Sequence, residues 1–129
     1  MATMVACTAL ELTAEQKQAL CKGVERGASE AFHIDVKICE LMIMPTLPPE
    51  NHGVSATGQI TYFVYTAPDK TVEQKRQLIK NLYDETVKVT GPLGKSKVVV
   101  IIKEHSDENV GVDGVLRADA KRAAQHTTG

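Results

Sequence analysis

Tryptophan is absent, and aromatic residues make up only 4% of the 129 positions. Stacking platforms for single-stranded nucleic acid are built from aromatic faces, so the composition speaks against that class of binder. A basic excess is missing too: 15 Lys and Arg stand against 16 Asp and Glu, a formal charge of −1. General nucleic-acid binding is disfavoured on that count as well. Long apolar runs are lacking. The longest, Val98 to Ile102, is far too short to span a membrane. The N-terminal segment lacks the basic-then-apolar layout of a signal peptide. Cysteine is scarce and odd in number: Cys7, Cys21 and Cys39 show no CxxC spacing, which reads as reduced thiols in a cytoplasmic protein. His33, His105 and His126 are scattered without metal-ligand spacing. Gly91-Pro92-Leu93-Gly94 is a turn and not a phosphate-binding loop. No metal and no cofactor are expected.

What is present is a folded composition, 43% hydrophobic and 24% charged. The core must be built mainly from Val, Ile, Leu, Ala and Met. A chain this short has a high surface-to-volume ratio, so burial against further subunits is expected.

The chain also contains its own repeat. Thr13-Ala14-Glu15-Gln16-Lys17 recurs 58 residues later as Thr71-Val72-Glu73-Gln74-Lys75. At the same offset Leu20 and Lys22 recur as Leu78 and Lys80, and Lys37 and Ile43 as Lys95 and Ile101. Glu50-Asn51-His52-Gly53-Val54 returns as Glu108-Asn109-Val110-Gly111-Val112. Each half reads strand, helix, strand. Runs at 3–9 and 60–67 carry Thr, Val or aromatic residues and suit strands. Thr13 with Gln16, and Thr71 with Gln74, have the spacing of a capping box. Leu20, Val24, Ala28 and Ala31 then share one helix face, as do Leu78, Leu82 and their neighbours. Apolar runs at 38–44 and 98–102 read as buried strands.

These elements predict one α+β domain over 1–129. Two pseudo-equivalent β-α-β repeats, about 2–58 and 60–116, are followed by a helical tail at 117–129. Right-handed crossovers would give a ferredoxin-like four-stranded sheet with two helices on one face. The other face would be apolar and bare, and would need a partner.

This duplicated arrangement resembles the tautomerase superfamily. The resemblance is best in the second half. Lys70-Thr71-Val72-Glu73-Gln74-Lys75 is similar to the loop-to-helix entry of the short tautomerases. Ile101-Ile102-Lys103-Glu104 is similar to their second strand, and Asn109-Val110-Gly111-Val112 to the glycine-bearing turn that follows. The resemblance implies a homotrimer packed sheet against sheet, and an N-terminal proline acting as a proton shuttle beside arginines that bind a substrate carboxylate. This sequence departs from that pattern. Position 2 is Ala, and Ile60, its counterpart in the second half, is internal. Removal of Met1 would leave the primary amine of Ala2 in the proline's place, whereas a retained Met1 displaces the amine by one residue. The loop arginine becomes Leu12 in the first half and Lys70 in the second. The strand arginine becomes Leu41 or a neighbour, and Val99.

The expected catalytic set is therefore Ala2, if Met1 is removed, with His52 and Glu40 as carriers of acid–base chemistry. Lys70 is expected to meet the substrate anion, Tyr62 to polarise its carbonyl, and Val110, the counterpart of His52, to line the site. The resemblance implies keto–enol tautomerisation, hydration or decarboxylation of a small carbonyl or enol acid. Two alternatives stand beside it. One is a trimer that lost or replaced the amine chemistry and binds a ligand or a protein. The other is a ligand-sensing module of ferredoxin-like repeats.

Overall fold

The computed structural model describes residues 1–127, with side chains through residue 125. The last two positions of the expected tail, and the side chain of His126, lie outside the described residues. Strand β1 (Ala2–Thr8) leads to helix α1 (Ala14–Phe32) and strand β2 (Cys39–Ile43). The second unit repeats the order with β3 (Ile60–Thr66), α2 (Val72–Thr90) and β4 (Val98–Glu104). A two-stranded hairpin, β5 (Gly111–Val112) and β6 (Val115–Leu116), precedes a C-terminal helix, α3 (Arg117–Thr127).

The four long strands form one sheet in the order β2-β1-β3-β4. Pairing is parallel within each unit and antiparallel between β1 and β3. Both helices start where their capping boxes predict. Thr13 accepts from the Gln16 amide while the Gln16 side chain accepts from Thr13 N–H, and Thr71 and Gln74 do the same. Reciprocal bonds of this kind satisfy amides that a helix start leaves without partners.

The helices cover one face of the sheet. Met4, Ile60, Tyr62 and Val64 point up at Leu20, Val24, Ala28, Leu78 and Leu82, and all of these are buried. The helices also pack closely on each other at Gly27, where an added Cβ would lie 3.1 Å from the Asn81 Cβ. The Asn81 amide donates to the Gly27 carbonyl at 3.0 Å across that contact.

The repeat is not uniform in register. The helices and their caps, and the turns at 49–51 and 107–109, are 58 residues apart. The second strands are 59 apart, because Ala2 pairs with Cys39 while Ile60 pairs with Val98. The connection after α2 is one residue longer than that after α1. Ile43 therefore corresponds to Ile102 and not to Ile101, and Val99 corresponds to Glu40. Lys37 and Lys95 lie inside the two connections that differ in length.

The face away from the helices is read directly from the register. Its middle row is Met42, Val5, Phe63 and Ile101. Met42 and Ile101 are each 48% exposed. At the Ala2 end the row is polar: Glu40, Thr3, Tyr65 and Lys103.

Candidate active site

Ala2, Thr66 and Glu104 lie at one end of the sheet, beside the start of β2. The Met1 carbonyl accepts a hydrogen bond from Thr66 Oγ1 at 3.0 Å, which anchors the start of the chain there. Three further segments converge on this end. The loop before α2 brings Lys70, whose Nζ donates to the Ala67 carbonyl at 3.2 Å and sits 5.3 Å from the centre of the Phe32 ring. The start of α3 brings Arg117 and Lys121, both tied to Asp107. The end of β4 brings Glu104 and His105. The His105 Nδ1 is buried with no hydrogen-bond partner among the described residues.

The N-terminal amine is held below its ordinary value of 8.0. Burial is the main cause, the charge of Lys70 comes next, and Arg117 and Lys121 add to it against an opposing effect of Cys39. Desolvation and nearby cations both disfavour an ammonium ion. Both effects favour the free base relative to an ordinary N-terminus. Glu104 holds the loop that presents Lys70. Its carboxylate pairs with Lys75 and accepts from the backbone of Asp69 and Lys70, which together keep it below its ordinary value. Asp69 takes a left-handed conformation, with φ of 73°, to make this turn.

The structure thus brings the N-terminal amine and Lys70 together. Val110 belongs to the same end, because its carbonyl accepts from the Arg117 amide at 2.8 Å. Ala2 itself is buried at the start of β1.

The other expected residues lie elsewhere. Tyr62 is 0% exposed and its hydroxyl is bonded to Thr86 at 2.7 Å, so it cannot polarise a substrate carbonyl. Side chains alternate along a strand, so Tyr62 and Tyr65 lie on opposite faces of the sheet, and it is Tyr65, 39% exposed, that faces the open side. His52 is at the opposite end of the sheet, since the segment leading to it is bound by Leu47 N–H to the Thr8 carbonyl. A seven-residue strand separates the ends by about 20 Å. Within one protomer His52 cannot exchange a proton with the amine. Glu40 is exposed on the open face, in the row with Thr3. Arg117 and Lys121 were not singled out from the sequence, and Lys103 and Glu104 entered only as part of a strand. The alternation of β4 could have flagged Lys103, and the register then joins it to Tyr65.

Among the described residues no group of three His, Cys, Asp or Glu side chains gathers to hold a metal. No helix of the described residues is long and apolar enough to cross a membrane.

Comparison with known proteins agrees with this architecture. The model of the tautomerase enzyme family matches residues 63–120. None of the curated proteins matches the sequence. Among solved structures, a fused 4-OT described as a wild-type asymmetric trimer superposes with a TM-score of 0.80 at 20% identity, covering 93% of this chain and 99% of that one. A malonate semialdehyde decarboxylase superposes with a TM-score of 0.76 at 17% identity, covering 93% and 98%. A member of the cis-3-chloroacrylic acid dehalogenase family gives 0.74 at 14% identity, covering 88% and 82%. The second half of the chain thus matches the tautomerase enzyme family, and nearly its whole length has the fold of the tautomerase-superfamily structures.

Proposed function

We propose that the chain is a tautomerase-type enzyme acting on a small carbonyl or enol carboxylate, with its N-terminal amine as proton shuttle. The observation that carries this reading is the amine itself, held below 8.0 by burial and by Lys70. A free-base amine can take a proton from the carbon beside a carbonyl and return it at another position. Lys70 and Arg117 supply positive charge for the substrate carboxylate. Arg117 offers the paired geometry that Lys70 lacks. Val110 lines the site beside Arg117.

Loss of Met1 would place the amine of Ala2 at the start of β1. A retained Met1 would place it one residue further out, at the position described above. The Met1 amine is the one whose titration Lys70 lowers. The exposed middle row of the open face, with Met42 and Ile101, supports assembly as a homotrimer. Three free thiols fit a reducing, cytoplasmic compartment.

Two measurements test the proposal. Intact mass of the protein from its natural host shows which residue bears the amine. Turnover of an enol pyruvate then reads the chemistry. Ala2→Pro, in protein that loses Met1, is expected to raise activity, because proline suits the first position of a strand and supplies a secondary amine. Lys70→Ala is expected to lower kcat/KM by about 10- to 100-fold, the scale of a charged hydrogen bond. Full activity after acetylation of the amine would overturn the proposal.

A further inference from the structure

The internal repeat creates a second end of the sheet, where the counterpart of the amine is the peptide nitrogen of Ile60. That end is not closed. It forms a cavity of about 550 Å³ walled by Ala9, Leu47, Pro48 and Pro49, with Glu11 and His52 as its titratable groups. Its chemistry is the reverse of the amine end. Lys70 is replaced by Leu12, Asp107 by Pro49, and Val110 by His52. No Lys or Arg lines the cavity.

His52 is oriented by its own backbone. Its Nδ1 lies 2.8 Å from the Gly53 carbonyl oxygen. A carbonyl can only accept, so Nδ1 carries the proton. In the neutral ring Nε2 is left with a lone pair and accepts. A lone pair, a carboxylate on the same wall and an apolar surround together disfavour an anion and favour a ligand that donates.

We infer that this cavity is a second binding site, for a small uncharged molecule with an apolar body and a weakly acidic hydroxyl, a phenol or an enol, whose O–H donates to His52 Nε2. The site is independent of the amine. It gives the two ends of one duplicated fold opposite ligand preferences, a carboxylate at one and a neutral hydroxyl compound at the other.

Three probes of the full chain in its native assembly test this: p-cresol, 4-methylanisole and benzoate. Long-range ¹H–¹⁵N correlation of the His52 ring reports both its tautomer and its occupancy. The free protein is expected to show the Nδ1–H tautomer. p-Cresol is expected to shift Nε2 saturably. 4-Methylanisole, with the same body and no donor, is expected to bind about tenfold more weakly. His52→Phe should abolish that difference, and Lys70→Ala should leave it unchanged. Equal binding of p-cresol and 4-methylanisole, tighter binding of benzoate at the His52 signal, an Nε2–H tautomer, or no shift with any probe would each overturn the inference.

Discussion

Replacing Thr86 by valine should destabilise the fold through one orphaned proton. The Thr86 hydroxyl donates to the Leu82 carbonyl at 2.6 Å, so its single hydrogen is committed. Tyr62 must therefore donate to Thr86 Oγ1, at 2.7 Å. Tyr62, Thr86 and Leu82 are all fully buried. Burial also pushes the phenol far above its ordinary 10.0, outweighing its bond to Thr86, so it stays protonated. Thr86→Val exchanges a hydroxyl for a methyl of similar size and leaves a buried O–H with no acceptor, at a cost of about 1–3 kcal/mol. Tyr62→Phe removes the donor but leaves Thr86 bonded to Leu82, and should cost about 1 kcal/mol. The double variant has no orphan, so its loss should fall at least about 1 kcal/mol short of the sum. Thermal unfolding at fixed protein concentration reads this as about 3–6 °C per kcal/mol. An additive double variant, or a Thr86→Val protein within about 0.5 kcal/mol of wild type, would refute the reasoning.

Other consequences follow from the same geometry. Gly27→Ala gains about 1 kcal/mol of helix propensity, yet its Cβ would meet the Asn81 Cβ at 3.1 Å, and overpacking should leave the protein about 1 kcal/mol less stable in urea titration. Glu104→Gln should loosen the Lys70 loop. A rise in KM for an enol pyruvate with little change in Tm is expected, and a change in Tm alone would make Glu104 merely structural. Asp107 is held below its ordinary 3.8, first by its hydrogen bond to Lys121, so its tie to α3 is present above that pH and is lost as the pH falls below it. Hydrogen exchange over 117–125 should show α3 protection at pH 5 that disappears under acid, and protection unchanged by acid would remove Asp107 as the anchor.

The parts of this molecule that local chemistry sets were legible in the sequence. Thr13 with Gln16 and Thr71 with Gln74 mark both helix starts, since a capping box spans only one turn. The one-residue slip between β2 and β4 was not legible, because it lies in a connection after α2 whose length no local sequence pattern fixes. Alternation separated Tyr62 from Tyr65 but could not say which met the helices; that depends on where α2 places Thr86. The site was half readable. Lys70 and the N-terminal amine could be named from the resemblance. Arg117 and Lys121 could not, because they reach the amine only through the fold of a tail that looked polar and peripheral. His52 looked like a companion of the amine because turns repeat in sequence, whereas the antiparallel pairing of β1 and β3 sends the two turns to opposite ends.

The account rests most directly on the N-terminal amine, and its titration by ¹⁵N resonance in the assembled protein is the decisive measurement. The free base should appear below pH 8.0, with Lys70→Ala moving the midpoint upward, since removing a neighbouring cation favours the ammonium. Tautomerase turnover should rise with pH along the same curve and shift with it in the variant. An amine titrating at 8.0 or above, or one indifferent to Lys70, would contradict the account.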